Sequence, residues 1–124
     1  MNRVGKVEGN IIDLYCGSGS IGLSFLACGI GKSVKGIEIV ADAVQNAYQN
    51  AQSNNLAAKA DFFAGKAEIL LGENGVDESF FIGDDLIIVD PPREGMHPHV
   101  TDFLITLKKQ HPYRLLYISC NPVT

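Results

Sequence analysis

Ile11-Ile12-Asp13-Leu14-Tyr15-Cys16-Gly17-Ser18-Gly19-Ser20-Ile21-Gly22 is the stretch that decides the fold. Ile11 to Tyr15 has the apolar, β-branched character of a buried strand. Gly17 to Gly22 then spells G-x-G-x-x-G, and a helical pattern follows from Ile21 to Cys28, stopping at Gly29. Glycines in that place let the backbone turn tightly and approach a ligand closely. A strand, a glycine loop and a helix form the opening unit of an α/β nucleotide-binding fold.

The rest of the chain repeats the alternation. Strands are expected over Ser33 to Ile39, Ala60 to Ala64, Leu86 to Asp90 and Arg114 to Ser119. Between them Val44, Ala47, Tyr48 and Ala51 recur at helical spacing, as do Val100, Phe103, Leu104 and Leu107. The first of these helices, Ala41 to Ser53, ends at Asn54-Asn55, where asparagine can take the left-handed cap. A brief helix is expected near Ala67 to Leu71, and the polar, acidic stretch from Gly72 to Gly83 reads as a loop. The order βαβαβαβαβ means a parallel sheet with helices on both faces. In such sheets ligands bind beyond the carboxyl ends of the strands. Asp13 to Tyr15, Glu38, Asp90 and Cys120 are expected on that rim.

Size and composition narrow the class. The chain has 124 residues, 46% of them hydrophobic, and a net charge of -4. Its pI is about 5.2 and its mean hydropathy +0.10. That is one domain at most, somewhat apolar, as suits a sheet buried on both faces. The acidic balance is not the footprint of a free-standing nucleic-acid binder. Lys108, Lys109, His111 and Arg114 form the only basic cluster and read as a solvated helix end. Three cysteines without staple spacing indicate reduced thiols in a cytoplasmic compartment. Cys16 and Cys28 read as packing residues, and His97 and His99 as surface residues. No cysteine or histidine spacing suggests a metal. No apolar run reaches the ~18 residues of a membrane span.

Three motifs carry chemistry. Glu38 follows the glycine loop by about twenty residues, where a carboxylate accepts ribose hydroxyls. By spacing alone the loop suits a nicotinamide dinucleotide and S-adenosyl-L-methionine equally. Asp13 separates them, because a carboxylate before the glycines would repel a pyrophosphate and could address the ammonium of a methionine moiety. Asp90-Pro91-Pro92-Arg93 ends the fourth strand; proline fixes φ and pre-positions the aspartate. Ser119-Cys120-Asn121-Pro122 follows the fifth strand. A cysteine after a strand is most often a small buried hydrophobe, but this one falls at the ligand-bearing edge.

Together D-L-Y-C-G-S-G-S, D-P-P-R and S-C-N-P resemble the RNA uracil-5-methyltransferase family, over almost the whole chain from about Ile11 to Thr124. The resemblance implies a Rossmann-like class I methyltransferase fold, the cofactor S-adenosyl-L-methionine, and a tRNA or rRNA substrate. It implies Cys120 as the nucleophile and Asp90 as an acidic residue close to both cofactor and base. Tyr15, Ser20 and Glu38 match cofactor-contacting positions, Gly17 and Gly19 shape the loop, and Lys66 lies near the expected adenine edge. It also implies segments not seen in residues 1–124: an N-terminal RNA-binding part, the last sheet strands and a proton-abstracting glutamate. The expectation is therefore a single catalytic-domain fragment, truncated before the last strands and inactive alone. Two other readings stay open. One is a different nucleic-acid or small-molecule methyltransferase in which Cys120 is structural; the other is a non-catalytic S-adenosylmethionine-binding remnant.

Overall fold

The computed structural model describes residues 7–71, 80–90, 95–110 and 113–118. Five strands form one parallel sheet: β1 (Ile11–Leu14), β2 (Val34–Glu38), β3 (Ala60–Ala64), β4 (Asp85–Val89) and β5 (Tyr113–Tyr117). Their order is β3-β2-β1-β4-β5. Helices α1 (Ser20–Ala27), α2 (Ala41–Ser53), α3 (Ala67–Leu70) and α4 (Pro98–Gln110) connect them, with a 3-10 turn at Ala57–Lys59 before β3. The chain starts in the middle of the sheet, winds outward through β2 and β3, then crosses back to β4 and β5. The point of reversal lies between β1 and β4. A crevice opens there because the connections on its two sides leave in opposite directions.

The period of two along each strand sorts the core into two layers. Ile11, Val34, Leu86 and Ile88 pack with Leu23 and Leu26 of α1 and Val44, Ala47 and Ala51 of α2. Ile12, Leu14, Ile37, Ile87 and Val89 pack on the opposite face with Ala67, Val100, Leu104 and Leu107. Every residue of β1 and β4 is buried. This is the doubly wound, Rossmann-like architecture expected from the alternating pattern. Asn55 takes a φ of 59°, the left-handed cap expected after α2.

Four details depart from expectation. The first strand ends at Leu14, because Tyr15 turns to a φ of 60°. Cys28, expected in the core, is exposed at the end of α1. Phe80 and Phe81, expected in a polar loop, are buried under the second layer, where the Phe80 ring packs tilted against Phe63 with centroids 5.6 Å apart. The basic end of α4 is exposed as expected, yet it has partners: Lys108 donates to the Tyr113 carbonyl and lies 4.5 Å from the Tyr113 ring centroid. Arg114 sits 3.8 Å from Asp84.

Candidate functional site

The loop between β1 and α1 is built from backbone constraints. Tyr15, Gly17 and Gly19 all have positive φ, at 60°, 56° and 76°. For glycine this region costs nothing, whereas for a tyrosine it stores strain, a state that surroundings must hold in place. In period-two order Tyr15 would face α1 and α2 beside Ile11 and Asp13. The left-handed turn sends it to the other layer instead, against the α3 and α4 side. At Gly17 a Cβ would meet open space, so only its φ demands glycine. Gly19 is constrained twice, since a Cβ there would also lie 3.0 Å from the Phe62 ring.

Glu38, the last residue of β2, holds this loop. Its Oε1 accepts the Gly17 N–H at 2.9 Å and its Oε2 accepts the Val40 N–H at 3.0 Å. One carboxylate thus ties the glycine loop to the start of α2. Each oxygen keeps lone-pair capacity beyond those bonds.

Asp13 lies deeper than the rim. It is 1% exposed, and its Oδ2 accepts the Gly22 N–H of α1 at 3.3 Å. Burial pushes its pKa up to about 7; the Gly22 N–H opposes the rise, and the nearby Asp90 and Glu38 carboxylates add to it. Its visible partner is α1 rather than the rim. Cys16, half-buried beside Gly36, has its thiol pushed up to about 12 by burial, with Asp13 and Glu38 adding. Cys16 packs against the first core layer, as expected of a packing residue.

Above the carboxyl ends of β1, β2 and β4 lies a cleft of about 550 Å³, bounded by the starts of α3 and α4. Of the residues singled out by sequence, Tyr15, Glu38, Lys66 and Asp90 line it. Asp13, Gly17 and Gly19 do not; they shape the loop beside it. Ser20 faces another hollow of about 270 Å³ between α1 and α2. Pro91 to Glu94 and Ser119 to Thr124, and with them Cys120, lie outside the described residues. Burial raises the Tyr15 hydroxyl pKa, while a hydrogen bond from the His97 backbone pulls it down. The lining also includes Ile39 and Met96, which sequence reasoning passed over, and His97, which it read as a surface residue. Ile39 carried a signal: it directly follows Glu38 and is apolar, yet remains 60% exposed.

A cleft with carboxylates at Glu38, Glu68 and Asp90 and apolar walls at Ile39 and Met96 suits a ligand with ribose hydroxyls, a flat ring and positive charge. The donor set and volume fit S-adenosylmethionine. Among the described residues no group of three or more His, Cys, Asp or Glu side chains could hold a metal ion. No helix among them is long and apolar enough to cross a membrane.

Comparison with known proteins agrees with this fold. The family model for tRNA (uracil-5-)-methyltransferase matches residues 1–124, the whole chain. An RNA methyltransferase of Enterococcus faecalis is 41% identical over 117 residues, covering 92% of this chain and 23% of the relative. The crystal structure of Pyrococcus abyssi tRNA (uracil-54, C5)-methyltransferase, in complex with S-adenosyl-L-homocysteine, superimposes with a TM-score of 0.72 at 32% identity. That match covers 98% of this chain and 27% of the archaeal one. The cyclase SpnF, at 17% identity and a TM-score of 0.62 over 82% of this chain and 35% of that one, shares the fold alone. The chain spans about a quarter of the length of the curated relatives it matches. With the strand order, the glycine loop and a family match over its full length, this chain belongs to the tRNA (uracil-5-)-methyltransferase family.

Proposed function

We propose that this chain forms the S-adenosylmethionine-binding face of an enzyme that methylates carbon 5 of a uridine in tRNA or rRNA. The observation that carries the reading is the meeting of Tyr15, Glu38, Lys66 and Asp90 in one cleft at the carboxyl ends of the strands. These residues come from four separated segments, and a family match over the whole chain includes them all. The cofactor, when bound, supplies an electrophilic methyl group on sulfur.

The chain's own residues do the rest. Glu38 accepts ribose hydroxyls with the lone pairs left over from Gly17 and Val40. Asp13 anchors α1 beneath the loop. Ile39 and Met96 wall a flat ring. Asp90 lies where cofactor and base approach one another. Carbon 5 of uracil is too weak a nucleophile to take a methyl group directly, which is why the family resemblance gives Cys120 its role. The Cys120 thiolate adds to carbon 6, forming a C–S bond and moving the ring's electron pair toward carbon 5 and the carbon-4 carbonyl. Carbon 5, so activated, would accept the methyl group that the bound cofactor supplies, the neutral thioether being the leaving group. A base removes the carbon-5 proton, and the returning electron pair expels the thiolate. A base buried in an RNA stack must first be turned out to reach such a site.

Two measurements test this. Calorimetry with S-adenosyl-L-homocysteine should show one site, lost on Glu38→Ala. In the intact protein, RNA containing 5-fluorouridine should leave a covalent adduct at Cys120, because fluorine cannot depart as a proton does. Methyl transfer retained by Cys120→Ala in the intact protein would overturn the nucleophile assignment.

A further inference from the structure

Among the described residues lining the cleft, the side chains with N–H donors are Lys66 and His97. They stand on different elements, Lys66 before α3 and His97 before α4. The charged side chains that share the cleft, Glu38 and Asp90 among them, are acceptors. They suit the hydroxyls, the amine and the positive centres of an S-adenosyl ligand. The ring nitrogens of its adenine are acceptors and need the opposite partner.

His97 is prepared to be that partner. Its carbonyl accepts the N–H of Val100 at 2.9 Å and of Thr101 at 3.3 Å, so it is the capping residue of α4, with Pro98 in the first helical position. Its Nδ1 accepts the His99 N–H at 3.1 Å. With Nδ1 accepting, Nε2 is the ring position left to donate. The helix start therefore sets which ring nitrogen meets the backbone. His97 lines the cleft together with Met96.

We infer that His97 is a cofactor-contacting residue whose Nε2–H donates to a ring nitrogen of the adenine. The inference rests on the S-adenosylmethionine reading of the cleft. Nothing in the motif pattern pointed to His97, because neither a glycine loop nor an acidic turn contains it.

Two substitutions separate this role from simple capping. Asparagine places an acceptor where Nδ1 stands and is itself a good cap, but it lacks a donor at the Nε2 position. Glutamine reaches the Nε2 position with an amide N–H and caps poorly. The probe is S-adenosyl-L-homocysteine titrated into this chain. His97→Asn should keep the thermal midpoint and bind about tenfold more weakly, the worth of one ordinary hydrogen bond. His97→Gln should lose thermal stability yet bind within about threefold of the unmodified chain, again on the scale of a retained hydrogen bond. Imidazole ¹⁵N spectra should show the proton on Nε2, with that signal moving when the probe is added. Unchanged affinity in His97→Asn, or a ring proton on Nδ1, would overturn the donor role while leaving the cleft reading intact. Failure of the unmodified chain to bind the probe at all would overturn the cleft reading and this inference with it.

Discussion

The Glu38 carboxylate accepts the Gly17 N–H at 2.9 Å, so the residue expected to receive a ribose also holds the loop that the cofactor must lie against. The two tasks should separate on substitution. Glu38→Gln keeps an acceptor for one backbone N–H and turns its other arm into a donor. It should lower affinity for S-adenosyl-L-homocysteine about tenfold and lower stability less than the alanine variant does, since one backbone bond is kept without its charge and the other is lost. Glu38→Ala removes both anchors and should lower affinity and thermal midpoint together. Calorimetry beside thermal melts of the two variants checks this, and equal losses in both would argue that Glu38 serves the loop alone.

Gly22 shows why the helix that follows the loop starts with so little bulk. A Cβ at Gly22 would stand 2.9 Å from Asp13 Oδ2 and 3.2 Å from Val34 Cγ1. Both neighbours sit in the sheet and cannot retreat without disturbing strand packing. Gly22→Ala should therefore destabilise by about 1–3 kcal/mol, the range for overpacking, despite alanine's better helix propensity. Denaturant unfolding would read this as a lower midpoint with an unchanged slope. A stabilised variant would mean that α1 shifts freely on the sheet.

Asp13 should give the fold a pH dependence of unusual sign for a carboxylate. Burial, with help from Asp90 and Glu38, raises its pKa from 3.8 to about 7 in the folded chain. Between those values the unfolded chain has released its proton and the folded chain has kept it. Stability then falls as pH rises from about 4 to about 7 and levels off above, with a slope of at most about 1.4 kcal/mol per pH unit from this group. Asp13→Asn keeps an acceptor for the Gly22 N–H and has no proton to lose, so its stability should be flat across the same window. Urea unfolding at several pH values checks the difference between the two chains. Parallel curves would remove Asp13 as the source.

Much of the fold was legible because its signals are local. Apolar runs such as Leu86 to Val89 and the helical repeat of Val44, Ala47 and Ala51 report burial directly. Parallel pairing follows from their alternation. What was not legible depends on depth and direction. Asp13 reads as a rim residue by position, but it lies in the strand interior, where Gly22 leaves room only for its carboxylate. Tyr15 changes layers through one backbone angle that no pattern of hydrophobicity encodes. Ser20 points to another hollow because the helix has already begun to turn. His97 and Ile39 join the cleft through the packing of α4 and the end of β2, which only the assembled sheet supplies. Phe80 and Phe81 were hidden by polar neighbours in sequence, although two adjacent aromatics within an acidic stretch were a usable sign of a buried return.

At the opposite end of the sheet, Asp85 should matter for stability and not for binding. It is 1% exposed at the start of β4. Its Oδ1 accepts the Asn10 N–H at 2.7 Å, and its Oδ2 accepts the N–H groups of Ile82 and Gly83, each at 3.1 Å. Three backbone donors from two approaching segments thus converge on one carboxylate, far along the strands from Tyr15, Glu38 and Asp90. Asp85→Ala would leave these donors without their acceptor, at a cost of about 3 kcal/mol or more. Asp85→Asn offers one acceptor oxygen in place of two and should lose less. Because the carboxyl ends of the strands are untouched, the folded fraction of either variant should bind S-adenosyl-L-homocysteine with unchanged affinity once melts are corrected for the unfolded population. Calorimetry on Asp85→Asn at low temperature, where the fold survives, provides the measurement. A drop in affinity there would mean that the two ends of the sheet are coupled.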